Sequence, residues 1–126
     1  MTGKKILVVE DDRYLIGAYV AKLTKIGFEV RTAVNGEEAL QALADFMPDL
    51  IILDLVMPKK DGFETLVEIK ANEKWKHVPI IVATNLSQQE DIDRVMKLGA
   101  QDYITKSEMT VDDFIRKVKM VLHVYN

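Results

Sequence analysis

Apolar residues fall along this chain in two alternating rhythms. Short unbroken runs, Ile6-Leu7-Val8-Val9 and Leu50-Ile51-Ile52-Leu53 above all, mark strands buried on both faces. Between the runs, apolar residues recur at helical spacing. Leu15, Ala18, Tyr19, Leu23 and Ile26 predict a first helix that Gly27 ends. Phe28 to Ala33 reads as a second strand, and Asn35 opens a helix with Glu38 three residues on and Leu40, Leu43 and Ala44 inside. Asp61-Gly62-Phe63-Glu64 starts a third helix carrying Leu66 and Ile69, and Pro79 to Ala83 is a fourth strand. Ser87-Gln88-Gln89-Glu90 has the spacing of a capping box ahead of Ile92, Val95 and Met96. Asp102 to Thr105 is a fifth strand, and Thr110 caps a last helix bearing Phe114, Ile115, Val118 and Leu122.

Five strands and five helices in strict alternation predict right-handed βαβ units, hence an α/β, doubly wound, five-stranded parallel sheet. With 126 residues, no internal repeat and no linker, residues 1–126 are expected to form one domain, with no effector domain in this chain. Composition narrows the function classes. Seventeen Lys and Arg against twenty Asp and Glu leave a net charge of −3, which argues against direct nucleic acid binding. The absence of cysteine removes disulfides, zinc thiolates and thiol catalysis. No apolar run approaches the ~20 residues of a membrane span, and the first residues lack a signal-peptide core. A cytoplasmic protein with no membrane association is the expectation.

Ligands of open parallel sheets bind beyond the carboxyl ends of the strands. Glu10, Asp11 and Asp12 follow the first strand, Asp54 the third, Thr84 and Asn85 the fourth, and Lys106 the fifth. Each alone has a structural explanation: an acidic helix cap, a turn carboxylate, a β-branched strand residue or a solvated cation. Together they describe a chemistry. Clustered carboxylates repel, and a hard divalent cation such as Mg²⁺ relieves them with oxygen ligands. A nearby ammonium and hydroxyl suit a phosphate. A carboxylate nucleophile with Mg²⁺ and Lys around one cavity is a phosphoryl-acceptor site.

The ordered set Ile6-Leu7-Val8-Val9-Glu10-Asp11-Asp12, Pro48 to Pro58, Asp61-Gly62, Pro79 to Thr84 and Gly99 to Lys106 resembles the receiver domain of two-component response regulators over essentially the whole chain. It is similar to the single-domain chemotaxis-type regulators. That resemblance implies a (βα)5 flavodoxin-like sheet in the order 2-1-3-4-5. It implies Asp54 as phosphoacceptor, with Thr84 and Lys106 as the other catalytic groups. It also implies Mg²⁺ held by Glu10, Asp11, Asp54 and the Val56 carbonyl, with Asp12 left to start the helix. Thr84 and Tyr103 match the switch pair. The implied function is a phosphorylation-controlled signalling switch. A phosphohistidine of a sensor histidine kinase or histidine phosphotransfer protein donates the phosphoryl group. A surface of fourth helix, fifth strand and fifth helix then regulates a downstream target protein or effector domain. No separate substrate turnover is expected beyond self-phosphorylation and self-dephosphorylation, and a phosphorylation-dependent dimer is a further expectation.

The chain departs from the family's pattern in three places. Ser107 follows Lys106 where proline is usual, so a trans bond and an altered loop are expected, since a cis bond there would cost ~3–4 kcal/mol. Asn85 replaces a small residue, either narrowing access to Asp54 or offering an amide to the phosphoryl group. Lys59-Lys60 puts two cations near the mouth. Met120, Val121, Val124 and Tyr125 exceed the core stripe of the last helix, and either cover the sheet or form a partner surface. The alternative function is a phosphate-independent receiver-like protein-binding module, which would not need the acidic pocket. Enzymes on similar sheets fit less well. An aspartyl phosphatase needs a second acid two residues after Asp54, where Val56 stands. A flavin protein needs a phosphate loop where Glu10-Asp11-Asp12 would repel the ligand, and a Gly-x-Gly-x-x-Gly motif is absent.

Overall fold

A computed structural model describes residues 3–124. Its elements alternate as predicted: β1 Lys5–Val9, α1 Arg13–Ile26, β2 Glu29–Ala33, α2 Gly36–Leu43, β3 Leu50–Leu53, α3 Gly62–Ala71, β4 Ile80–Thr84, α4 Gln89–Lys97, β5 Asp102–Thr105 and α5 Val111–Leu122. A single 3-10 turn, Lys106–Glu108, precedes α5. The strands form one parallel sheet in the order β2-β1-β3-β4-β5, so strand order reverses between β1 and β3. Val9 is paired with Leu53, which brings the residues after these strands, Glu10 and Asp54, side by side at the reversal.

Two apolar layers sandwich the sheet, as the unbroken runs require. Leu7, Val9, Ile51, Leu53 and Val82 face α2, α3 and α4 through Ala39, Leu43, Leu66, Ile69 and Val95. Ile6, Val8, Leu50, Ile52 and Ala83 face α1 and α5 through Tyr19, Leu23, Phe114, Val118 and Leu122. Burying a Leu or Ile side chain in such a layer contributes about 1.5–3 kcal/mol. The layers therefore fix the strand ends that carry the chemistry.

Helix starts follow the capping residues, with one correction. The side chains of Asp12, Asn35, Asp61 and Thr110 each accept a backbone N–H of their own helix's first turn. Thr110 and Asp113 complete a reciprocal box. The box expected at Ser87 and Glu90 does not form. Helix α4 starts one residue later, with Gln88 at the cap position and no side-chain bond there. Its first turn carries Glu90 and Asp91, whose charge suits the positive end of the helix dipole without a hydroxyl cap. Gly27 ends α1 at φ 114°, as its position predicts.

The last helix divides the residues left over from its stripe. Val121 and Val124 pack against the α1–α5 layer, Met120 is exposed, and Tyr125 lies outside the described residues.

Candidate phosphoryl-acceptor site

The acidic residues hang from the continuing sheet. Glu10 N–H donates to the Ala33 carbonyl at 2.9 Å, and Asp54 N–H to the Val9 carbonyl at 3.0 Å. Both side chains are buried, Glu10 to 3% exposure and Asp54 to 6%. A buried carboxylate is costly unless it is paired and hydrogen-bonded. One Glu10 oxygen accepts the Asp12 N–H at 3.1 Å. Its other oxygen takes a short hydrogen bond from Lys106 Nζ. The same ammonium stands 3.3 Å from Asp54 Oδ2, while Asp54 Oδ1 accepts Leu55 N–H at 2.8 Å. Lys106 is therefore a buried cation shared by two buried carboxylates.

Asp11 sits at the exposed mouth. One carboxylate oxygen each from Glu10, Asp11 and Asp54 lie within 4.8 Å of one another, close enough to bind one cation together. Asp12 points its carboxylate into α1 instead, accepting from Tyr14 and Leu15 N–H. Asp12 therefore caps α1, while Glu10 and Asp11 group with Asp54. Electrostatics agree with the geometry. Burial pushes the Glu10 carboxyl above its ordinary value, helped by the Asp54 charge and opposed by Lys106 and the Asp12 N–H. Burial alone would lower the Lys106 ammonium, but the Glu10 and Asp54 carboxylates outweigh it and hold the ammonium above its ordinary value. One cation against three carboxylates leaves the pocket net negative. That donor set, all hard oxygen, fits Mg²⁺.

Thr84 is the last residue of β4 and fully buried, its hydroxyl 3.4 Å from the Leu86 N–H. Tyr103 lies half-buried against the α2–α4 layer. Its hydroxyl is buried without a hydrogen-bond partner, and burial, with Asp91 of α4 nearby, raises its pKa. Val56 exposes 60% of its surface beside Asp54, and Asn85 is exposed.

After Lys106 the chain makes the 3-10 turn through Ser107 and Glu108, with no cis peptide among the described residues. The Lys106–Ser107 bond is trans, as expected there. Of the two cations near the mouth, Lys60 pairs with Glu68 along α3, leaving Lys59 exposed. Lys59 also adopts φ 63°, which sequence reasoning missed. The only signal was its place in a turn after Pro58. Tyr19 was read only as a core residue. It does stack on Phe114, with ring centroids 4.6 Å apart. Burial also raises its phenol, which feels the charges of Lys106 and Glu10.

Known proteins resemble the chain in sequence and shape. A family model for the response regulator receiver domain matches residues 6–119. The alkaline phosphatase synthesis transcriptional regulatory protein PhoP of Bacillus subtilis is 39% identical over 82% of this chain and 42% of its own length. The DNA-binding dual master transcriptional regulator RpaA of Synechocystis is 31% identical over 94% of this chain and 48% of its own. The chain thus spans less than half the length of these curated relatives. Among solved structures, the phosphorylated cyanobacterial phytochrome response regulator RcpA is 33% identical with a TM-score of 0.87, covering 98% of this chain and 97% of that one. The receiver domain of a histidine kinase from Syntrophus aciditrophicus is 32% identical with the same TM-score, covering 96% and 91%. The chain therefore belongs to the response regulator receiver domain family, whose members serve two-component signalling.

Proposed function

We propose that this domain is a switch set by phosphorylation of Asp54. One observation carries the reading: three carboxylates grouped within 4.8 Å of one another, two of them buried against the Lys106 ammonium. A structural ion pair would need one acid. An Asp54 carboxylate oxygen attacks the phosphorus of a phosphohistidine on a histidine kinase or phosphotransfer protein. The new P–O bond forms as the P–N bond breaks, and the imidazole leaves as the neutral ring after taking a proton. Glu10, Asp11, Asp54 and the Val56 carbonyl would hold Mg²⁺, which offsets negative charge on the transferring group. Lys106, 3.3 Å from Asp54 Oδ2, supplies a second positive charge.

The phosphoryl group adds about −1.5 to −2 charges. Thr84 would offer it a hydroxyl, and Tyr103 lies on β5, the strand paired with β4. The surface of α4, β5 and α5 then reads the state to a target protein or an effector domain. Attack of water on the acyl phosphate resets the switch. Incubation with acetyl phosphate and Mg²⁺, followed by intact-mass measurement, tests the proposal. A mass step of roughly 80 Da, one phosphoryl group on a carboxylate nucleophile, is expected for the parent and not for Asp54→Asn. No step in the parent, with the fold intact, would favour a phosphate-independent binding module.

A further inference from the structure

The segment from Asp54 to Gly62 carries Asp54 and Val56 at one end and runs into α3 at the other, and it is held at two points. At Gly62 the chain passes so close to β3 that an added Cβ would overlap the Asp54 carbonyl and stand 2.6 Å from Leu55 Cα. The Gly62 N–H closes this point by donating to the Leu55 carbonyl at 2.9 Å. The second point comes from far away in sequence. Gly36, the first residue of α2, donates its N–H to the Lys60 carbonyl at 3.1 Å. A Cβ on Gly36 would overlap Thr65 Oγ1 and lie 2.8 Å from both the Lys60 carbonyl oxygen and Lys60 Cγ. These neighbours cannot easily give way. Thr65 is fully buried, and its hydroxyl donates to the Asp61 carbonyl at 2.6 Å. The Lys60 oxygen is backbone. Between the two points Lys59 sits at φ 63°, a region that a lysine disfavours. A conformation of that kind persists only where its surroundings over-determine it.

We propose that Gly36 is a positioning residue for the phosphoryl-acceptor site. The amino end of α2 grips the β3–α3 loop through Lys60, and the grip keeps Asp54 and Val56 placed for metal binding. The inference rests on the reading of that site as Mg²⁺-dependent. Glycine is required because the helix and the loop backbone meet with no room for a side chain. Coupling of this kind is reciprocal. A loop that binds Mg²⁺ better when gripped must grip better when Mg²⁺ is bound.

The test compares Gly36→Ala with Leu43→Ala, a buried position at the other end of α2. Calorimetric Mg²⁺ affinity and the rate of labelling by acetyl phosphate are expected to fall about tenfold in Gly36→Ala, the scale of losing support behind a metal ligand. Leu43→Ala is expected to lower the urea midpoint at least as far while keeping the parent's Mg²⁺ affinity. Adding Thr65→Ala to Gly36→Ala removes one overlapping atom and should recover part of the affinity. Equal losses in Gly36→Ala and Leu43→Ala, or none in either, would overturn the proposal. If Gly36→Ala does not fold, hydrogen exchange of the Gly36 amide in the parent decides: saturating Mg²⁺ slows it if the grip exists and leaves it unchanged if not. A parent that neither binds Mg²⁺ nor accepts the label would overturn the functional reading as well. A parent that does both while Gly36→Ala matches it would remove the grip alone.

Discussion

The two ends of the sheet use their charges in opposite ways. At the amino end, Arg31 meets Asp45 at 2.7 Å with the side chains 44% and 75% exposed. Arg31 also lies over the Phe46 ring, 4.8 Å from its centre, with Lys5 at 5.8 Å. At the carboxyl end, Lys106 meets Glu10 with the side chains only 10% and 3% exposed. Water screens the first pair and is excluded from the second. The lesson is that proximity of opposite charges does not distinguish packing from chemistry, but burial of excess charge does. Breaking a buried pair leaves a bare charge behind, and at the carboxyl end three grouped carboxylates face one ammonium.

The largest effect follows from that asymmetry. In metal-free buffer, Lys106→Ala should lower unfolding free energy by about 3 kcal/mol, because two carboxylates lose their shared counter-charge. Mg²⁺ should restore much of the loss by binding the folded state. Urea unfolding with and without Mg²⁺ measures both. Next comes the neighbour that is acidic yet outside the cluster. Asp12→Ala removes the α1 cap and should cost about 1 kcal/mol, with no change in Mg²⁺ affinity. At the amino end, a double-mutant cycle on Arg31 and Asp45 should give a coupling of about 0.5 kcal/mol or less, and ~1 M salt should erase it. A coupling as large as the Lys106 effect would break the comparison.

The smallest effect is a pH slope at an exposed box. Thr110, through its hydroxyl and its N–H, and then Arg116, holds the Asp113 carboxyl below its ordinary 3.8. The folded state therefore releases that proton more readily than the unfolded chain. The stabilisation is fully present above pH 3.8, and it is lost as pH falls below that value through the lower folded one. Asp113→Asn should flatten that part of the acid limb in denaturant midpoints measured across the range.

Most of the fold was legible because its signals are local. The four-residue run at Leu50 and the caps at Asp12, Asn35, Asp61 and Thr110 each need only their neighbours. Ser87 shows the limit of that reasoning: a capping-box spacing offers a bond that the chain leading into α4 does not use. The strand-end acids were legible because alternation alone places them at one end of the sheet. The pairing of Lys106 with Glu10 was not, since 96 residues separate them and only the sheet order makes them meet. Neither was the contact of Gly36 with Lys60. An Asn-Gly pair reads as a helix start, and close approach to a distant backbone leaves no local pattern. The φ of Lys59 was hidden for the same reason, being imposed by the contacts on either side.

On the proposed reading, the carboxyl end is a cation-seeking acidic pocket in which Glu10, Asp11 and Asp54 act together and Asp12 does not. Mg²⁺ titration by calorimetry of the parent, Asp11→Ala and Asp12→Ala tests it most directly. Saturable binding to one site is expected in the parent, with the same affinity in Asp12→Ala and a loss of at least about tenfold in Asp11→Ala, which gives up a charged oxygen ligand. Binding abolished in Asp12→Ala but retained in Asp11→Ala, or absent from the folded parent, would contradict it.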